Sequence, residues 1–252
     1  MPNPWGGQRA TDLNMPTDSS TPPPEPDVRT MHPDACYRRI NDSELDDHLS
    51  ELSINNLLRA DARVRIYDTL LPFVPDSIAD IGCGVGLTTS ALKRAHPDAT
   101  VYGYEIDASA TAYAAREDKS GAEYRTVAAG MDVTLDQKFD VLLFQEFYPF
   151  TRTPDFQVHR EFLQFIVNNL TPRGLALIQL AIRHPEITIL NHLPSVETFC
   201  RENAMVLSQH LIPYDRLVDV IGSVRLSALL TPPLSMITGT DRRIVLMLRK
   251  SE

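Results

Sequence analysis

The stretch Ile78-Ala79-Asp80-Ile81-Gly82-Cys83-Gly84-Val85-Gly86 constrains this chain more than any other. An apolar run ends in an acid, three glycines follow on alternate positions, and Leu87-Thr88-Thr89-Ser90-Ala91-Leu92 opens an amphipathic segment. That order predicts a strand, a tight turn and the N-terminus of a helix. Glycine admits positive φ and lets a ligand approach the backbone closely. The first turn of a helix presents N–H groups that have no partner within the helix. The turn is therefore suited to holding a small polar molecule.

Around this turn, strands and helices alternate. The pattern predicts strands over 77–81, 100–105, 123–127, 139–144 and 175–181, with helices over 87–95, 109–119 and 159–169 between them. Such alternation implies βαβ units and a parallel sheet covered on both faces. A helix over 195–203, a strand over 205–212 and a last strand over 243–248 follow. Two final strands without an evident crossover helix imply an antiparallel edge. The intervening residues 213–240 are too many for a hairpin loop; they read as a substrate cap or as an oligomer contact, such as that of a homodimer.

Upstream, residues 1–33 hold eight prolines among Ser, Thr and Asp, a composition expected to stay disordered. Residues 34–72 read as a helical lid: Leu45, Leu49, Leu52, Leu57, Leu58, Val64, Ile66, Leu70 and Leu71 recur at near-helical spacing, split near Asn55-Asn56. The main domain is then 73–252, with cap-like insertions near 146–160 and 213–240.

Charge and cysteine usage narrow the partners. A formal net charge of −9 argues against nucleic-acid binding through the overall field. Cys36, Cys83 and Cys200 are widely spaced, so neither a disulfide framework nor a zinc cluster is indicated. Apolar runs fall well short of the roughly 20 residues that span a bilayer, and no basic start leads into an apolar core. These features imply a cytoplasmic setting and no membrane partner.

The glycine spacing helps to choose the ligand. A nicotinamide dinucleotide sits on Gly-x-Gly-x-x-Gly, whereas here the spacing is Gly-x-Gly-x-Gly and Asp80 stands two residues before it. Glu105 ends the second strand, where a carboxylate can accept both hydroxyls of a ribose. Asp80 would repel a pyrophosphate and suits a ligand bearing an ammonium or sulfonium.

With these elements the chain resembles the class I S-adenosylmethionine-dependent methyltransferases. The matching segments are Asp80 to Gly86, Glu105-Ile106-Asp107, Phe139 to Phe144 and Leu170-Thr171-Pro172-Arg173-Gly174-Leu175, in the family's order and spacing. The resemblance implies an α/β, Rossmann-like, doubly wound, mostly parallel sheet with an antiparallel last strand, plus the N-terminal helices. It implies S-adenosylmethionine as cofactor and no metal. It places Gly82, Cys83, Gly84 and Gly86 against the methionine part, and Asp80 toward the cofactor amine. Glu105 falls on the ribose, Ile106 beside the adenine, and the backbone of Gln145 near the amine. After the third strand, where many members carry an acid that reads the adenine, Asp132 comes late. Gly130 or Met131 are the alternatives there.

In that fold the methyl group points past the fourth strand, here at Gln145-Glu146-Phe147-Tyr148-Pro149-Phe150-Thr151-Arg152-Thr153. The Asn/Asp-Pro-Pro-Tyr/Phe signature of DNA and protein amine methyltransferases is missing there. Glu146, Tyr148 and His159 are the candidates to position an acceptor or take its proton. Each has a plainer alternative: loop anchoring, packing, and a helix-start cap. Arg152 is a candidate fork for a substrate carboxylate. Leu58 to Tyr67 is faintly similar to the arginine methyltransferases, a hint toward a basic nitrogen. The expected activity is methyl transfer to a small amine, guanidine, amino acid or hydroxyl acceptor in specialised metabolism. The alternatives are chemistry on S-adenosylmethionine itself, giving methylthioadenosine, or binding of it without turnover.

Overall fold

The computed structural model describes residues 54–130, 133–182, 188–238 and 243–251. The expected tail over 1–33 and the first part of the lid lie outside the described residues. The elements are α1 (Ile54–Asp68), β1 (Ser77–Ile81), α2 (Leu87–Ala95), β2 (Thr100–Glu105), α3 (Ala108–Glu117), β3 (Glu123–Thr126), β4 (Phe139–Gln145), α4 (Tyr148–Thr151) and α5 (Phe156–Asn169). After them come β5 (Leu170–Ala181), a 3-10 turn over Ile189–His192, α6 (Leu193–Glu202), β6 (Met205–Ile212), α7 (Asp215–Ile221), α8 (Val224–Thr238) and β7 (Arg243–Lys250).

The seven strands form one sheet in the order β3-β2-β1-β4-β5-β7-β6. Neighbours from β3 through β5 are parallel, and β7 runs antiparallel to both β5 and β6. The central strand β4, Phe139-Asp140-Val141-Leu142-Leu143-Phe144-Gln145, is buried up to its last residue. A strand covered by helices on both sides has no face to leave polar, so its sequence is a near-continuous apolar run rather than an alternation.

Alternate side chains of β4 feed two cores. Leu142 and Phe144 join Phe150, Phe162, Phe165 and Ile166 beneath α5 and α6. Val141 and Leu143 join Ala60, Val64, Ile66 and Tyr67 of α1, Ala91 and Leu92 of α2, and Val218 of α7. The N-terminal helix is therefore built into one core of the domain. At the amino end of the sheet, Asp140 accepts from Thr171 Oγ1 at 2.8 Å and pairs with Arg173 at 3.0 Å. The Thr171-Pro172-Arg173 segment thus pins β5 to β4 beside the register shift between Phe139 and Val141.

Several boundaries differ from expectation. The helix expected over 159–169 starts at Phe156, because the Asp155 side chain caps it by accepting from Gln157 N at 2.8 Å. The strand expected over 175–181 starts at Leu170. The stretch between the last two strands holds α7 and α8, and α7 packs against α1. Among the described residues no helix is long and apolar enough to cross a membrane.

Candidate active site

The site is built at the carboxyl end of β1, β2, β4 and β5, where parallel strands deliver their last residues side by side. Register puts Asp80 of β1 between Gly103 of β2 and Leu143 of β4. The glycine turn leaves β1 with Gly82, Gly84 and Gly86 all at positive φ. Two of these positions also lack room for a side chain. A Cβ on Gly86 would lie 2.5 Å from the Tyr124 ring, and one on Gly82 would lie 3.0 Å from the Phe147 ring. The alternate-glycine pattern thus answers both a left-handed backbone and close neighbours.

Asp80 is 2% exposed and accepts from Thr89 Oγ1 at 2.7 Å. Burial pushes its carboxyl up to about 6, Glu105 adds to the rise, and Thr89 and the Arg63 guanidinium oppose it. A buried acid poised in this way is suited to a cationic ligand. Glu105 is buried and clamps the turn to β2. One of its oxygens accepts from Gly84 N at 2.9 Å, and the other from Ile106 N at 2.8 Å and Asp107 N at 3.2 Å. Asp107 in turn caps α3, accepting from Ser109 N at 2.7 Å. Cys83 is half-buried, and its thiol is pushed up by burial and by the Asp80 and Glu105 carboxyls, so it stays protonated. Ile106 and Gly130 are half-buried, with open space where a Gly130 side chain would stand. Met131 and Asp132 lie outside the described residues.

β4 carries the second half of the site, and it runs one residue further than expected, through Gln145. Gln145 Oε1 accepts from Thr88 Oγ1 at 3.2 Å and faces the Tyr67 hydroxyl at 3.4 Å, which ties β4 to α2 and α1. Glu146 follows in a left-handed conformation, φ 48°. Its N–H donates to Gln179 O at 3.0 Å, and its Oε1 accepts from Gln179 Nε2 at 2.7 Å. The residue is open to solvent on one side, while surrounding protein raises its carboxyl above the ordinary value against the pull of Arg243 and Arg152. Tyr148 begins α4 half-buried, and the Arg152 guanidinium lies 5.6 Å from its ring centroid. The arrangement offers a cation-seeking acid, a backbone cradle and a second carboxylate past the central strand, which suits a nucleoside carrying a sulfonium and an amine.

His159 does not join this group. It lies on α5 with 0% exposure, 6.2 Å from the Phe150 ring and 5.4 Å from that of His192. Among the described residues neither ring nitrogen makes a well-formed hydrogen bond, and burial, aided by His192, drops its pKa to about 4 against the pull of the Thr153 and Pro149 backbone. Its place is the aromatic core beneath the sheet, because α5 begins earlier than the sequence suggested and carries it inward rather than to the helix start.

Three residues at the site escaped the sequence reading as site residues: Tyr67, Thr89 and Gln179. Gln179 did leave a signal, as the polar residue within the apolar run Leu175-Ala176-Leu177-Ile178-Gln179-Leu180, and it is 1% exposed.

Comparison with known proteins agrees with this geometry. Residues 78–174 match a family model described as a methyltransferase domain. No curated protein matches the chain. Among solved structures, the plantazolicin methyltransferase BpumL, crystallised with a monoazolic desmethylPZN analog and SAH, is similar with a TM-score of 0.56. It has 15% identity over 87% of this chain and 91% of that one. A TehB-like SAM-dependent methyltransferase from Corynebacterium glutamicum is similar with a TM-score of 0.50, at 16% identity over 76% of this chain and 88% of that one. At such identity these likenesses bear on the fold, and the fold agrees with the domain match. The central domain of this chain is a methyltransferase domain of the class I, S-adenosylmethionine-dependent kind.

Proposed function

We propose that this methyltransferase acts on a small molecule with a basic nitrogen, an amine, guanidine or amino acid of specialised metabolism, and that Glu146 holds that nitrogen. The observation that carries the reading is the placement of Glu146. It is a carboxylate just past the central strand, in a backbone conformation that a glutamate adopts at a cost of roughly 1 kcal/mol, one residue from a phenylalanine packed on the glycine turn. Strain of this kind collects at functional positions. The crystallisation of BpumL with desmethylPZN analogs supports acceptors from specialised metabolism.

When bound, S-adenosylmethionine supplies an electrophilic methyl group on a sulfonium. In this reading Asp80 faces its amine, the glycine turn lies along its methionine part, and Glu105 receives the ribose. The acceptor nitrogen forms the new bond to the methyl carbon with its lone pair as the carbon–sulfur bond breaks, and the electron pair of that bond returns to sulfur. The nitrogen then releases one proton, to the Glu146 carboxylate or to water. The protein's share is to hold the nitrogen in line. Tyr148 lines the acceptor side, Arg152 takes an acceptor carboxylate, and the α7–α8 insertion covers the pocket.

The test is mass spectrometry of the nucleoside product after incubating the full chain and S-adenosylmethionine with a panel of amines, guanidines, amino acids and phenols. S-Adenosylhomocysteine and a methylated nitrogen compound are expected. Glu146→Gln should lower turnover at least about tenfold, the loss of one charge-assisted contact, with cofactor affinity retained. Methylthioadenosine formed without an acceptor would replace this reading by chemistry on the cofactor. A methylated phenol with full activity of the variant would remove Glu146 from it.

A further inference from the structure

Gln179 holds Glu146 twice, through its backbone carbonyl and through its side-chain amide. That amide is in turn held by α1: the Tyr67 hydroxyl donates to Gln179 Oε1 at 3.0 Å. Tyr67 and Gln179 are each 1% exposed, so water does not compete for the contact between them, whereas Glu146 at the end of the relay is exposed. We propose that Tyr67 and Gln179 are positioning residues for the acceptor, a relay by which the N-terminal helix keeps the Glu146 carboxylate charged and oriented toward a cationic nitrogen. The inference rests on the reading of Glu146 given above and deepens it to a substrate class: amines and guanidines, which are held as cations and give up one proton to water before the freed lone pair attacks the methyl carbon, rather than neutral phenols or alcohols.

The direction of the Gln179 amide decides which of its ends meets Glu146. A glutamine side chain has a carbonyl at one corner and an NH2 at the other, nearly equal in shape, and its neighbours decide which way it lies. If it were reversed, its carbonyl oxygen would meet a carboxylate oxygen at a distance of 2.7 Å, acceptor against acceptor. A hydroxyl donor at Tyr67 favours the observed direction, with the oxygen toward α1 and the NH2 toward Glu146. A donor on a carboxylate favours its charged form. Glu146 also feels Arg243 from β7 and Arg152 from the end of α4, both of which favour the charged form against the effect of burial. Behind Tyr67 stand Arg63 of α1 and Asp215 of α7, with Arg243 again, so the relay lies within one charged neighbourhood. The Ala181 backbone N–H also hydrogen-bonds this carboxyl and favours its charged form, so Gln179 and Ala181 together fix its orientation and an incoming N–H donor meets the lone pairs that remain.

The prediction is read on Glu146 directly, without need of an acceptor. The full chain is labelled with 13C at the glutamate carboxyls and saturated with S-adenosylhomocysteine, and the Glu146 signal is assigned by its loss in Glu146→Gln. Removing the donor in Gln179→Leu should raise the titration midpoint of Glu146 by about one pH unit, a tenfold change in its proton affinity. Tyr67→Phe, which keeps the ring and its packing, should move it in the same direction by less and serves where the leucine variant does not fold. S-Adenosylhomocysteine affinity by calorimetry should stay within about twofold in both, since a role confined to cofactor binding or to packing would not move one carboxyl selectively. Midpoints unchanged in both variants would overturn the relay while leaving the role of Glu146 standing. Shifted midpoints together with wild-type amine turnover by Glu146→Gln would leave the hydrogen-bond chain but overturn its role in acceptor choice.

Discussion

The Asp80 carboxyl is 2% exposed, and its hydrogen-bond partner is the neutral hydroxyl of Thr89. Together these hold the carboxyl near 6, so at neutral pH the chain keeps a buried negative charge beside the glycine turn. A ligand amine binds the deprotonated form, so binding below pH 6 must also expel a proton. The sign follows: affinity for S-adenosylhomocysteine is flat above about pH 6.5 and falls toward lower pH, by about tenfold for each unit once Asp80 is protonated. Calorimetry between pH 5 and 7.5, in buffers of different ionisation enthalpy, checks both the slope and the proton release. Asp80→Asn should bind more weakly at neutral pH and show no such slope. A wild-type affinity constant down to pH 5 would remove the Asp80 carboxylate from cofactor binding. Glu105 makes a complementary point. Its position at a strand end is legible, but its three backbone contacts to the turn exist only once β1 and β2 are paired.

At the scale of elements, the parts the sequence specifies well are those where local chemistry and tertiary packing agree. β4 is one, since an unbroken apolar run has only a doubly covered strand to become. The start of α5 is not. The Asp155 cap lies in a stretch of polar residues and proline, and the periodicity alone set the helix three residues late and left His159 at its mouth. In the fold that histidine is sealed beside Phe150 and His192, and burial lowers its pKa from 6.5 to about 4, with His192 adding to the effect. Between these two values the unfolded chain binds a proton that the folded chain refuses. Stability is therefore complete above about pH 6.5 and declines as pH falls toward 4, by up to about 3 kcal/mol from this one group. Urea unfolding of wild type and His159→Phe at pH 7 and pH 4.5 should show a smaller acid-induced drop in midpoint for the variant. Equal drops would place the acid sensitivity elsewhere.

Over the whole molecule, the two segments hardest to read from sequence, the N-terminal helix and the long stretch between the last two strands, depend on each other. α1 packs on α7, and Asp215 joins them. One of its oxygens lies 3.3 Å from Arg63 Nε of α1 and 3.3 Å from Arg243 Nη1 of β7, with its side chain 11% exposed. No local pattern announces such a contact, because its three partners are 28 to 180 residues apart and each alone reads as a solvated charge. A carboxylate shared by a nearly enclosed Arg63 guanidinium and a half-buried Arg243 costs more to remove than a surface pair. Asp215→Ala should destabilise the fold by about 3 kcal/mol, since Arg63 would lose its counter-charge where water reaches it poorly. Hydrogen exchange gives the more specific expectation. Amides of α1 and of α7 should both exchange faster, while the centre of the sheet at β4 and β5 keeps its protection, as local opening leaves the doubly covered strands closed. Faster exchange in α7 alone would mean that α1 is held by its apolar face and not by Asp215. If both loosen, Tyr67, one turn along α1 from Arg63, loosens with them, and the same change that frees α7 slackens the hold on Gln179 and so on Glu146. In that case the charge that fastens the N-terminal helix to the domain is also what keeps the Glu146 carboxylate in order.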